Sequence, residues 1–336
     1  MRLTSLLLLL ILGLVASAQA QSTLKIASLA PDGSLWMKEM RAAGEAVAKG
    51  TEGRVTIKFY PGGVMGNDTV VLRKIRLGQL QGGAFTGSEL SQVYKNAQIY
   101  SVPFLFTGYD QVDAVRPKID PLLVAGFEKS GFRVVGISGV GFAYLMGSRE
   151  VADRDQLRAA KVWVPQNDRI AELTFQAGGI EPIPLPLGDV FTSLQTGLVD
   201  TVGNTAAGAI ALQWHTKIKH VFDLPLTYVV GYVAIDGKAM AKLSESDQAL
   251  VTQAFGDAAG RIDAGNRKAD SEARAVLQGQ GVKFAAPSAE ETAYWKGIGD
   301  QITTQLLKDG SLDEDLLTAV RAALGAGNAT ADSGAH

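Results

Sequence analysis

The sequence predicts an α/β fold in two lobes, joined by hinge strands and crossed by one long helix. Three observations carry that expectation. Residues 161–204 alternate strand, helix, strand, helix, strand, a pattern that predicts a parallel sheet covered by helices. The chain has 336 residues, more than a single average domain. A helical pattern from about Glu245 to Gln278, capped by Ser244 with Asp247 three residues on, would span ~45–50 Å at the helical rise, longer than one small lobe.

In chain order, Arg2, the apolar run Leu6–Val15 and the small residues Ala18-Gln19-Ala20 predict a secretory signal in 1–20 and a mature start near Gln21. The apolar run is shorter than the ~20 residues that span a bilayer. Thr23–Leu29 has the composition of a buried strand. Ala30–Ser34 is a turn in which Asp32 or Ser34 can cap a helix of about Leu35–Lys49. Arg54–Tyr60 and Gln81–Phe85 predict strands, with a helix from Asn67-Asp68 to about Leu77 between them. Ser101–Phe106 suggests packing at a loop. Tyr109–Ser130 is helical, with interruptions expected at Pro117 and Pro121.

Phe132–Gly136 and Phe142–Ser148 predict two strands. Lys161–Pro165 is a short strand ended by a proline, and Asp168–Ala177 an amphipathic helix stopped by Gly178-Gly179. Pro182–Pro186 is extended, Asp189–Thr196 helical, and Val199–Val202 begins a strand. A helix over Ala206–His220, an apolar strand over Tyr228–Ile235, and helices over Ala289–Leu307 and Leu312–Leu324 complete the reading. The small, polar residues 325–336 predict a disordered tail.

Composition excludes several functions. The net charge of −2 gives no case for nucleic acid. The absence of cysteine rules out disulfides and thiol chemistry. Three histidines without ligand spacing suggest no metal, and no nucleophile elbow, phosphate loop or paired carboxylates suggest an enzyme. No catalytic residue and no cofactor are expected.

LRAAKVWVPQN at 157–167, AGGIEPIPLPLGDVFTSLQTGLVDTVGNT at 177–205 and WHTKIKHV at 214–221 resemble the core of the DctP-type substrate-binding proteins of TRAP (tripartite ATP-independent periplasmic) transporters. LAPDGSLW, GRVTIKFYPGGVMGND and RLGQL in the N-terminal part, and SVPFLF at 101–106, extend the resemblance over nearly the whole mature chain. It implies a two-lobed fold like that of periplasmic binding proteins. Lobe I would comprise 21–140 plus 232–272, and lobe II 141–231 plus 273–324. The hinge would lie near Gly136–Tyr144 and Tyr228–Ala234. It also implies a periplasmic location, capture of a small molecule by lobe closure, and delivery to integral membrane permease subunits. A monomer is expected, with a dimer the alternative.

Ligands in open α/β sheets sit at the carboxyl ends of strands. That rule and the resemblance together place Leu29, Asp68 and Thr86 on one wall, and Ala143, Trp163, Leu187 and Asn204 on the other. Phe142 and Trp214 adjoin the second wall. The resemblance implies an arginine where this chain has Trp163, and a second where it has Ala143. A guanidinium holds a carboxylate by two charge-assisted bonds that no neutral residue matches. The chain therefore suits a neutral or apolar ligand. Two alternatives stay open: a carboxylate binder with Arg149 or Arg169 relocated, and a carrier or sensory binding protein outside transport. Trp163 either faces the ligand or fills the arginine's volume. Asn204 either orients the ligand or caps the helix after it. Asp68 is otherwise a helix cap.

Overall fold

A computed structural model gives the structure of residues 21–333, with side chains to Gly325. The expected signal segment, 1–20, and residues 334–336 lie outside the described residues. The first half runs β1 (Ser22–Ser28), α1 (Leu35–Gly50), β2 (Val55–Tyr60), α2 (Asp68–Arg76), β3 (Gly82–Thr86), α3 (Gly87–Leu90), α4 (Tyr109–Lys129) and β4 (Phe132–Gly147). Then come α5 (Arg154–Arg158), β5 (Trp163–Pro165), α6 (Arg169–Ala177), β6 (Ile183–Leu185), α7 (Val190–Thr196), β7 (Thr201–Asn204) and α8 (Ala206–Ala211). The chain ends with β8 (His220–Asp236), α9 (Gly237–Met240), α10 (Glu245–Gly279), β9 (Lys283–Ala285), α11 (Ala289–Lys308) and α12 (Glu314–Ser333).

Side-chain caps start the helices as the sequence suggests. Ser34 Oγ accepts from the Met37 N–H at 3.3 Å, Asn67 Oδ1 from Val70 at 3.1 Å, and Ser244 Oγ from Asp247 at 3.1 Å. Each satisfies an amide that the first helical turn leaves without a partner.

The main sheet has the order β2-β1-β3-β8-β4-β7, with β9 added to β8. β1 is parallel to β2 and β3, and the β3–β8, β8–β4 and β4–β7 pairs are antiparallel. The two long strands reach both ends of the molecule. Residues 231–235 of β8 carry β3, whereas residues 220–222 carry β9. β4 pairs with β7 through Tyr144–Gly147. The sequence suggests two strands here because β4 is bulged between Val134 and Gly136, Gly139 and Gly141, and Ala143 and Leu145. Each bulge inserts a residue and breaks the alternation of faces.

The parallel sheet expected over 161–204 is reduced to the β5–β6 pair and a bridge from Val162 to Thr201. Pro182, Pro184 and Pro186 have no N–H to extend that ladder, and β7 pairs with β4 instead. Other differences are local. α4 is unbroken, because Pro117 and Pro121 lie on its exposed face and their missing bonds cost least there. The helix after Asn204 ends at Ala211 and not His220. Gln213 takes a left-handed φ of 62° and turns the chain so that Trp214 enters the core. α12 continues through Ser333 where loss of order was expected after Leu324; its alanines favour helix.

α10 has 35 residues and packs on α1, β4 and α8, so it links elements from both ends of the sheet. Arg116 of α4 fastens it. This buried guanidinium pairs with Asp263 of α10, donates to Asp120 at 3.1 Å and to the Ile137 carbonyl of β4 at 2.8 Å. Removing it leaves Asp120 without a counter-charge and Asp263 with only Arg267, 3.9 Å away. Arg116→Ala is expected to lower stability by about 3–5 kcal/mol, read as a lower urea midpoint with an unchanged slope. A loss below ~1 kcal/mol would show that these carboxylates do not depend on it.

Candidate ligand-binding site

A cavity of about 480 Å³ lies against β4 and β8. Ala143 and Leu145 of β4 and Thr227, Val229 and Gly231 of β8 form its floor. Leu29, Asp68 and Thr86 line it from one side, and Trp163, Leu187 and Asn204 from the other. Seven of the nine residues singled out from the sequence therefore lie in its wall; Phe142 and Trp214 do not. Phe142 neighbours Ala143 on a strand, so it takes the opposite face. Its ring packs on Tyr109 and Tyr228, with centroids 5.2 Å away in each case.

Trp163 is 4 % exposed. Its indole N–H donates to the Leu185 carbonyl at 3.0 Å, and Trp214 stands edge-on behind it with ring centroids 5.3 Å apart. It lines the cavity and also fills volume in the core of that wall. Asn204 does not cap α8. Thr205 does, accepting from Gly208 at 2.9 Å. Asn204 Oδ1 accepts from the Thr205 N–H at 2.8 Å, while its NH₂ has no protein acceptor among the described residues. Asp68 sits in the first turn of α2, whose cap is Asn67.

Among the described residues, no lysine, arginine or histidine lines the wall. Arg149 pairs with Asp200 at 3.0 Å and donates to the Ala159 carbonyl at 2.7 Å. Arg169 pairs with Asp309 at 2.6 Å. Neither lines the cavity. The charged residues that do are Asp68, Glu89 and Asp168. Glu89 Oε2 accepts from the Thr86 N–H at 2.8 Å and from its hydroxyl at 2.9 Å, which fixes it in the first turn of α3. Asp168 caps α6, accepting from Ala171 at 3.0 Å. Burial pushes the Asp68 carboxyl well above the usual carboxylate range, and the neighbouring Glu89 pushes it further. Burial also raises Asp168. Near the mouth, the Asn167 amide donates to Thr69 Oγ1 at 3.4 Å, joining the two sides.

Sequence reasoning missed Glu89, Asp168, Phe104 and Phe175, all of which line the cavity. Glu89 follows β3 by three residues, as Asp168 follows β5. The strand-end rule that found Thr86 and Trp163 extends to both. Phe104, expected to be loop packing, takes φ 57°, a conformation unusual for an aromatic residue. Its N–H is held at 2.8 Å by the Leu226 carbonyl.

Asp68 stays protonated in the folded chain at a pH where the unfolded chain ionises it. Folding therefore binds a proton, and this group's contribution falls as pH rises above the unfolded carboxylate range. Asp68→Asn is expected to raise the melting temperature of the ligand-free protein, by a few °C per kcal/mol relieved, and more at pH 8 than at pH 5. Thermal unfolding at the two pH values checks this. A variant that gains no more at pH 8 than at pH 5 would show that Asp68 is not held protonated.

A sequence profile described as bacterial extracellular solute-binding protein, family 7, matches residues 26–309. A solute-binding protein of Roseobacter denitrificans is 24% identical over 298 residues, covering 85% of this chain and 90% of that protein. Among solved structures, a TRAP periplasmic solute-binding protein from Desulfovibrio salexigens with bound orotic acid superposes with a TM-score of 0.84. It is 19% identical and covers 91% of this chain and 100% of that one. A sugar-acid-binding protein from Advenella mimigardefordensis with galactonate also gives 0.84, at 20% identity, covering 92% of this chain and 99% of that one. These similarities establish the two-lobed fold.

Proposed function

Because the chain belongs to the bacterial extracellular solute-binding protein family 7, we propose that it captures a ligand other than a simple carboxylate and presents it to a TRAP-type permease. The family binds solutes and does not catalyse reactions. The location is extracytoplasmic in this reading. Lobe I comprises 21–140 plus 232–272 and lobe II 141–231 plus 273–324. They close on the ligand by bending β4 and β8 near Gly136–Tyr144 and Tyr228–Ala234. Among the described residues, no helix is long and apolar enough to cross a membrane.

The observation that carries the ligand reading is the absence of a cationic side chain from the wall. Burying a carboxylate without a partner costs several kcal/mol, and each ~1.4 kcal/mol is a tenfold loss of affinity. Two relatives in fold hold orotic acid and galactonate. For this chain to do likewise, Arg149 or Arg169 would have to leave Asp200 or Asp309. A neutral or apolar body meets no such cost against Trp163, Phe104 and Phe175.

Calorimetry against malate, succinate, pyruvate, sialic acid, neutral sugars and apolar compounds tests the reading. The acids are expected to bind weakly or not at all. Trp163→Ala should weaken the true ligand at least tenfold through lost contact, and Trp163→Arg should weaken it by removing the indole face and its edge contact with Trp214. Because Trp163 also packs the core, its truncation should cost about 3–5 kcal/mol of stability, so affinities belong at temperatures where the variant stays folded. Micromolar binding of a plain dicarboxylate by the unmodified protein would overturn the proposal.

A further inference from the structure

The three carboxyls in the wall are not accounted for by a purely apolar ligand. Asp68 is 8 % exposed, and its carboxyl is hydrogen-bonded to that of Glu89 beside it. Glu89 Oε2 also accepts from Thr86. Two carboxyls thus meet, with no cation in the wall around them, at one end of a cavity whose remaining wall includes Trp163, Phe104, Phe175, Phe222 and Leu145. Adjoining carboxyls in a site of low polarity cannot both ionise without a proton or a cation to separate their charges. Asp168, on the other side of the cavity, feels the charge of Glu89.

We propose that the ligand is an apolar molecule carrying one protonated amine, and that the amine sits between Asp68 and Glu89. This deepens the non-carboxylate reading above and rests on it. An ammonium group has three donors and no acceptor, so it can take the place of the proton between the two carboxyls and donate to both. Its charge favours the ionised form of neighbouring carboxyls, the reverse of what burial does. An alcohol brings a single donor, and a carboxylate brings a further negative charge to a wall with no cation. The raised pKa of Asp68 fits a site that holds a proton while empty and gives it up when a cation enters.

The test uses matched frameworks. Phenylbutylamine, phenylbutanol and phenylbutyrate, and octylamine, octanol and octanoate, are titrated at neutral pH by calorimetry and thermal shift. The amine of each set is expected to bind at least tenfold tighter than its alcohol, and the carboxylate weakest. In Asp68→Asn the amine-over-alcohol ratio should fall at least tenfold. Glu89→Gln provides the same readout should the first variant fold poorly. Equal binding of amine and alcohol, or a preference that persists in both variants, overturns the inference and leaves the non-carboxylate reading standing. Tighter binding of the carboxylates overturns both, and binding of none of the six counts against both.

Discussion

The structure depends on one antiparallel pair of strands. β4 and β8 run together from Phe132–Asp236 at one end to Gly147–His220 at the other. Everything else attaches to one half of that pair or the other. β3, and through it β1 and β2, hangs on the Asp236 end; β7 and β9 hang on the His220 end. A one-residue slip in such a ladder would turn every side chain to the wrong face. Here it would take Ala143 and Leu145 out of the cavity floor. The register is held from outside the sheet as well. Arg116 ties α4 to α10 while gripping the Ile137 carbonyl of β4, and the Asn266 amide of α10 donates to the Gly139 carbonyl at 2.8 Å. Both grips fall on the bulged middle of β4, where the ladder itself is weakest.

The wall around Trp163 shows what a tryptophan at this position demands of its neighbours. A tryptophan at a position that the family resemblance assigns to arginine needs volume and an acceptor for its N–H. Leu185 supplies the acceptor from the neighbouring strand β6. The volume is closed by Trp214, which reaches it only because α8 stops at Ala211 and Gln213 turns the chain. Ala143 on the floor then leaves room in the cavity where a long side chain would have occupied it. These features depend on one another: arginine in place of Trp163 would lose the edge contact with Trp214.

Much of this was legible in the sequence. The alternation of strands and helices, the capping residues and the long helix are local signals, and they placed most elements to within a few residues. The strand-end rule and the family resemblance together pointed to seven residues that line the cavity. What the sequence did not show were effects that arise only when distant segments meet. β4 looked like two strands because its bulges break the face alternation. The parallel sheet over 161–204 shrank because β7 found a partner in β4, far earlier in the chain. Which of Phe142 and Ala143 faces the cavity could not be read without the register. The acidic end of the cavity escaped notice because Glu89 and Asp168 read locally as residues of helix starts, a role both also fill. Their joint meaning depends on the proximity of α3 and α6.

That proximity ties ligand chemistry to closure. Asp68 and Glu89 come from one side of the cavity and Asp168 from the other. Bringing the sides together excludes water from all three, and charges separated by a few ångströms in a medium of low polarity repel strongly. Two routes relieve this: taking up a proton, or enclosing a cation. The first is the state of the ligand-free chain, in which Asp68, raised by burial and by the adjoining Glu89, is hydrogen-bonded to that carboxyl. The second lets the carboxyls ionise and satisfies their oxygens with donors. A ligand can shift an equilibrium between open and closed forms only by binding one form better than the other. An apolar body gains contact on closure wherever it lies, but only a cation gains from the convergence of these carboxyls. Under the proposal, charge at this end of the cavity selects among ligands of similar shape by acting on the closing step, while Trp163 and its neighbours select for shape.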